Sequence, residues 1–222
     1  MAGQAADRKL VKHLRCEGQL AILEINRKPD PILHGRLRYV SVIIVHVKRN
    51  GKAPQIYLRC LAPSDFEELS ARHVESVRHL RGFVNTKFTR EDFAKTLADG
   101  ESETKEPRVI CRRSDSSIVG RINLNQIFRG PFQNAYLGYY LFAGFTGKGY
   151  MTEAIGLILN VAFSDLNLHR VEANVQPQNV RSIELLKRCG FSKEGYSPRY
   201  LKIGGKWRDH ERWAIVREYR CR

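Results

Sequence analysis

Apolar and β-branched residues dominate two short stretches, "RYVSVIIVHVK" from Arg38 and "QIYLRCL" from Gln55, separated by a segment containing "RNGK". β-Branched side chains suit a pleated, half-buried surface, and Asn-Gly is favoured in tight turns, so a hairpin about Asn50 and Gly51 is predicted. The period then changes. In "APSDFEELSARHVESVRHL", Phe66, Leu69, His73, Val77 and Leu80 recur at helical spacing, and Ser64 precedes Glu67 by three residues as in a capping box. A second helix is predicted over "TREDFAKTLADG", ending at Gly100.

Three strand-like segments follow, "RVICRR", "SIVGRINLNQIF" and "NAYLGYYLF", separated by "SDS" and "RGPFQ". Such short connections imply an antiparallel meander. Beyond "GFTGKG", the residues Met151, Ala154, Ile155, Ile158 and Ala162 mark the buried face of a helix. A strand "HRVEANVQP", a helix "NVRSIELLKRCGF" ended by Gly190, and a hairpin of "YLKI", "GG" and "KWRDHERWAIV" complete the chain. Residues 1–37 show no clean period. The fold class expected is α+β, with residues 1–53 a basic N-terminal extension, partly strand, and residues 54–222 the main domain.

Composition narrows the class without naming a function. At 222 residues, 42% hydrophobic and 27% charged, the chain has the balance of one globular domain, with or without an extension. No apolar run approaches the roughly 18 residues of a membrane span, and the start lacks the apolar core of a secretory signal, so a cytoplasmic location is expected. Cys16, Cys60, Cys111, Cys189 and Cys221 are scattered and form no CxxC pair, which points away from a disulfide framework or a zinc site. The net charge of +15 is densest at the front, where residues 1–55 carry 11 Lys or Arg against 4 Asp or Glu. That field attracts polyanions and opposes a polycationic substrate.

"GFTGKGYMTEA", from Gly144 to Ala154, carries the chemistry. Gly147 and Gly149 allow a sharp turn and close backbone approach to a ligand, while a helix starting there bares its first N–H groups and the positive end of its dipole. This suits a pyrophosphate, and Lys148 adds charge. The spacing is neither that of a P-loop nor that of a GxGxxG dinucleotide site; plain turn chemistry is the competing reading.

The ordered set "YLGYYLF", "GKGYMTEA", "HRVEANVQPQN" and "NVRSIELLKRCGF" resembles the GNAT superfamily of N-acetyltransferases, and "YLKIGGKWRDHERWA" is similar to its ribosomal-protein alanine N-acetyltransferase branch. The resemblance implies a mixed, mostly antiparallel twisted sheet flanked by helices, with acetyl-CoA in the splay between the two central strands. It implies that Phe145, Thr146, Gly147, Lys148, Gly149 and Tyr150 hold the diphosphate through backbone amides. Leu141 and Phe142 would pair with the pantetheine arm, Asn179 would contact that arm, and Ser182 would lie near the sulfur. Two positions depart from the family pattern: Gly144 stands where a Gln or Arg is common, and Leu186 where many relatives place a Tyr general acid. Asn179 also reads as an ordinary helix N-cap.

Acetyl transfer needs an uncharged amine, donors for the developing oxyanion and a proton for the leaving thiolate. An α-amino group, with a reference pKa of about 7.7–8.0 against about 10.4 for lysine, loses its proton more easily by roughly 3 kcal/mol. Strand alternation puts Trp207, Asp209, Glu211, Trp213 and Ile215 on one face and Arg208, His210 and Arg212 on the other. Asp209, taken as inward-facing, either orients the amine or satisfies backbone amides. Glu172 is a further candidate base, and Tyr196 and Tyr200 either donate a proton or pack; His169 reads as structural. The expected function is acetyl-CoA-dependent acetylation of a protein N-terminus, plausibly ribosomal, with the basic surface docking on rRNA and no metal involved. The alternatives are acetylation of a small amine or a non-catalytic RNA-associated role on the same fold.

Overall fold

The computed structural model describes residues 8–16, 19–29, 39–45, 53–86 and 88–219, the first three segments as backbone only. Among the described residues ten strands form one sheet: β1 Arg8–Cys16, β2 Gln19–Pro29, β3 Tyr39–Val45, β4 Ile56–Arg59, β5 Glu106–Arg112, β6 Ile118–Asn125, β7 Asn134–Leu141, β8 Arg170–Val175, β9 Ser192–Ile203 and β10 Lys206–Val216. Their spatial order is β1-β2-β3-β4-β5-β6-β7-β8-β10-β9. Neighbours run antiparallel except β7 and β8, which are parallel. The helices are α1 Phe66–Leu80, α2 Arg90–Asp99, α3 Tyr150–Asn160 and α4 Val180–Arg188.

From β4 onward the element order is the expected one, and β5, β6 and β7 form the expected meander. β3 and β4 pair antiparallel, while the turn expected about Asn50 and Gly51 lies outside the described residues. β1 and β2 occupy a stretch where periodicity predicted no strand; basic residues interrupt its apolar positions, as in "RKLVKHLRC". β9 begins at Ser192, eight residues before the expected "YLKI".

The start of α1 differs from the expected capping box. The Asp65 carboxylate, instead of Ser64, accepts from the Ala62 amide at 2.8 Å and binds both terminal nitrogens of Arg59 at 2.7 Å each. A carboxylate held by a guanidinium in a site only 6% exposed outcompetes a serine hydroxyl for this turn. α2 does carry a box: Thr89 accepts from the Asp92 amide and the Asp92 carboxylate accepts from the Thr89 amide, each at 3.1 Å.

All five apolar positions predicted for the α3 face are buried, and Tyr150, Leu157 and Leu159 are buried with them. α3 packs on β4 and β6, and its last turn widens into a π turn over residues 161–165. α1 docks on the other side of β7. His73 Nδ1 donates to the Leu69 carbonyl at 2.7 Å, and Tyr140 Oη donates to His73 Nε2 at 3.0 Å, which uses both nitrogens of a neutral ring. Ser76 Oγ, one turn on, accepts the Ala143 amide at 2.9 Å. These contacts fix the end of β7 just before the glycine loop.

Candidate active site

The parallel pairing of β7 with β8 stops early. Register runs only from Asn134↔Arg170 to Tyr136↔Glu172, after which residues 137–141 and 173–175 diverge. A cleft of about 1340 Å³ occupies the divergence. Leu137, Gly138, Tyr139, Tyr140 and Leu141 line one wall, and Ala173, Asn174, Val175 and Gln176 line the other. Unpaired β-strand backbone facing a cleft is a template for an extended ligand carrying amide groups.

One end of the cleft is the glycine loop. Gly144, Gly147 and Gly149 have φ of +82°, +77° and +82°, in the left-handed region where a side chain is strained, and a Cβ at any of them would meet no atom within 4 Å. Gly149 is the N-cap of α3 and no side chain caps it, so the first-turn amides are available to a ligand. Cations gather about this turn. The Arg72 and Arg112 guanidinium carbons and Lys148 Nζ lie 5.1, 5.5 and 5.6 Å from the centre of the Phe145 ring. Helix dipole, bare amides and Lys148 favour an anionic group here, while Arg72 is paired with Glu68 and Glu75 and Arg112 with Asp115.

Of the residues expected to hold the cofactor, Leu141, Thr146, Gly147, Gly149, Tyr150, Asn179 and Ser182 line the cleft. Phe142, Phe145 and Lys148 do not. Phe142 is fully buried against His73 and Tyr140, and Phe145 is buried beneath the loop. Asn179 is the N-cap of α4, its side chain accepting from the Ser182 amide at 3.3 Å. Ser182 Oγ is 2.6 Å from Tyr139 Oη. Burial pushes the Tyr139 phenol well above its ordinary range, partly offset by the bond to Ser182, so it stays protonated and able to donate. Leu186 is fully buried, and the phenol bonded to Ser182 comes from β7 instead of α4.

The remaining candidates lie apart from the cleft lining. The Asp209 carboxylate accepts from Tyr196 Oη at 2.5 Å and from the Arg199 amide at 2.7 Å; these bonds hold its pKa down and that of Tyr196 up. The inward face expected for Trp207 and Asp209 is not observed: Trp207 is 61% exposed, whereas His210, expected on the opposite face, is 2% exposed. Asp209 stands against a bulge in β9, and further along its face Trp213 and Ile215 are buried. Arg208 pairs with Leu201 but His210 pairs with Ser197, so residues 198–200 stand against Asp209 alone. Pro198 supplies no amide there, Arg199 adopts φ +49°, and Asp209 satisfies the Arg199 amide. Glu172 accepts from Arg170 Nε at 2.9 Å, and Arg170 also engages Glu194. His169 pairs with Glu218 at 3.5 Å on the surface.

Sequence reasoning passed over Tyr139, Arg72, Arg112 and His210. Alternation along "AYLGYYL" was enough to place Tyr139 opposite Tyr140, and Pro198 signalled the break in β9; only the fold could bring α1 and β5 cations to one loop. Among the described residues there is no metal-binding cluster of His, Cys, Asp or Glu, and no helix is long and apolar enough to cross a membrane.

Residues 55–192 match the model of the acetyltransferase (GNAT) domain family. The chain is 35% identical to "Probable N-acetyltransferase YjcK" of Bacillus subtilis over 74% of its length and 96% of that protein. It is 43% identical to the [ribosomal protein uS5]-alanine N-acetyltransferase of Escherichia coli over 46% of its length and 53% of that protein. Among solved structures, Mycobacterium smegmatis RimJ in complex with CoA-disulfide superposes with a TM-score of 0.67 at 29% identity, covering 73% of this chain and 82% of that one. Spermidine N-acetyltransferase from Vibrio cholerae, in complex with CoA and spermine, shares the fold at a TM-score of 0.65 and 20% identity, over 76% of this chain and 99% of that one.

Proposed function

The chain belongs to the GNAT acetyltransferase family and is an N-acetyltransferase, and we propose that it uses acetyl-CoA to acetylate the α-amino group of a protein N-terminus, that of a ribosomal protein. The observation that carries the reading is the cleft at the β7–β8 divergence, with uncapped α3 amides at one end and the Tyr139–Ser182 pair in its wall.

The residues present fit coenzyme A. The loop amides of residues 146–150 would hold its diphosphate beside Lys148, in space that a Cβ at Gly147 or Gly149 would enter, the Phe145 amide being bonded to the Phe142 carbonyl. Backbone groups of residues 137–141 and the Asn179 side chain would hold its arm. Bound acetyl-CoA supplies the activated acetyl group as a thioester. Ser182, polarised by the desolvated Tyr139 phenol, would place a proton where negative charge develops on sulfur. This pair takes the role for which Leu186 offers no group.

Three considerations favour an α-amine over lysine or a polyamine. The α-amine costs about 3 kcal/mol less to deprotonate at a given pH. The +15 charge opposes polycations, and the ribosomal relative is named for acetylating an alanine of ribosomal protein uS5. Residues 54–222 would form the catalytic domain and the basic residues 1–53 an addition to it, the surface docking on rRNA beside the target.

Acetyl-CoA turnover on Ala- and Ser-starting peptides, compared with N-blocked lysine peptides and spermidine, tests this directly. Acetylation confined to the unblocked N-termini supports the reading. Preference for spermidine would move the assignment to small amines, and CoA binding without turnover on any amine would support a non-catalytic role.

A further inference from the structure

We propose that His210 is the base that takes the proton from the acceptor amine, with Asn174 as the side chain that holds that amine. The inference rests on the α-amine reading above.

The sheet places both groups on one face of the divergence. Tyr136 stands opposite Glu172, and Asn174 stands opposite Arg212, in register. Opposed residues share a face and alternate residues return to it, so Tyr136, Asn174 and His210 occupy the same face of β7, β8 and β10. All three line the cleft. Tyr139 and Ser182 belong to the opposite face, because Tyr140 points to α1 whereas Tyr139 reaches α4. An amine entering from the His210 face therefore meets the acetyl group from the side opposite the Tyr139–Ser182 donor.

The chemistry of the ring is settled by its neighbours. His210 Nδ1 is 2.9 Å from the Arg208 carbonyl. A carbonyl only accepts, so Nδ1 carries the hydrogen and the neutral ring keeps its lone pair on Nε2. Burial lowers the His210 pKa, opposed by the Arg208 carbonyl and by Asp209, which favours the base form at neutral pH. Tyr200 of β9 lies edge-on to the ring at 6.0 Å, and Ser197 is its cross-strand partner. The charged or titratable side chains elsewhere in the cleft lining, besides its tyrosines, are His79, Arg181, Glu184 and Arg188. Asn174 Oδ1 is buried without a hydrogen-bond partner, which a bound ammonium or amine would supply.

The step balances. The acceptor enters as its ammonium form and passes one proton to His210 Nε2, which releases it to solvent; the neutral nitrogen then bonds to the acetyl carbon and gives its second proton to the same Nε2. The carbon–sulfur bond breaks, and the thiolate takes a proton from the Ser182 hydroxyl, which is restored through Tyr139 and solvent as His210 returns its proton to water.

The test compares wild type with His210→Asn, whose side-chain amide can still donate to the Arg208 carbonyl. At pH 7, kcat/KM on an Ala-starting peptide should fall by about 10²–10⁴-fold while CoA affinity is retained. The wild-type profile should break below pH 6.5, because the neutral ring accepts the proton of the ammonium form; the variant's should break instead near the α-amine pKa of about 7.7–8.0. A folded variant with the wild-type profile would overturn the proposal. Should the variant not fold, wild-type protein serves: diethyl pyrocarbonate should modify His210, and CoA with the N-acetylated product peptide should block it, whereas modification indifferent to both would overturn the proposal. Absence of turnover by wild type on every α-amine peptide would remove the functional reading and this inference together; turnover with an unaltered variant profile would remove the inference alone.

Discussion

Gly149→Ala separates a ligand-binding turn from a merely convenient one. Gly149 has φ +82° and ψ −6° at the start of α3, and an added methyl would meet nothing within 4 Å. No clash contributes, so the cost in the free protein is backbone strain, about 1–2 kcal/mol for an L-residue in the left-handed region. For a chain of this size that lowers Tm by about 2–8 °C. The control lies about two turns along the same helix. Gly156 also has open space about its Cβ position but lies inside α3, so Gly156→Ala should gain about 0.5–1 kcal/mol from helix propensity and raise Tm. The two alanines diverge further in binding. At position 149 the methyl enters the space assigned to the diphosphate and tilts the amides; loss of one charge-assisted hydrogen bond, about 1.5–3 kcal/mol, weakens CoA by roughly 10- to 100-fold. Titration calorimetry with CoA and thermal unfolding of both variants provide the check. A Gly149→Ala protein that melts lower yet binds CoA as tightly as wild type would refute the cradle and leave the glycine as a turn device.

Tyr139→Phe should reduce kcat by tenfold or more with CoA affinity unchanged, because it removes only the phenol bonded to Ser182; pre-steady-state thiol release on an Ala-starting peptide would show it, and an unchanged rate would contradict the proton-delivery role. Burial lowers the pKa of both His73 and His210, so below the unfolded reference of about 6.5 the unfolded chain binds protons that the native state does not. Stability should therefore fall as pH drops through that value and level off above it, as urea titrations between pH 5 and 8 would register. Asp65→Ala leaves Arg59, only 21% exposed, without its carboxylate and the Ala62 amide without its acceptor; a loss of about 2–3 kcal/mol is expected by urea unfolding, below the range for a fully buried pair because water reaches the guanidinium.

Much of this architecture was legible because local rules and tertiary structure agree. Helical spacing in "YMTEAIGLILNVAF" marked a face that is buried throughout, and "TREDFAKTLADG" was read as the helix that is α2. The glycine loop could be read because left-handed turns need glycine, a constraint written in residue identity. The acid and base could not be read in the same way. Tyr139 and Ser182 lie 43 positions apart and meet only because β7 and α4 flank one cleft. Alternation placed His210 on the face it shares with Arg212, but that this face lines the cleft depends on where β7 and β8 part. Asp209, next to His210 in sequence, spends its carboxylate on the β9 bulge.

The most direct test of the account is a crystal structure of the protein with coenzyme A. The account predicts diphosphate oxygens on the amides about Gly147 and Gly149, the pantetheine arm along residues 137–141 and the sulfur beside Ser182. A coenzyme bound elsewhere, or a glycine turn untouched by phosphate, would contradict it.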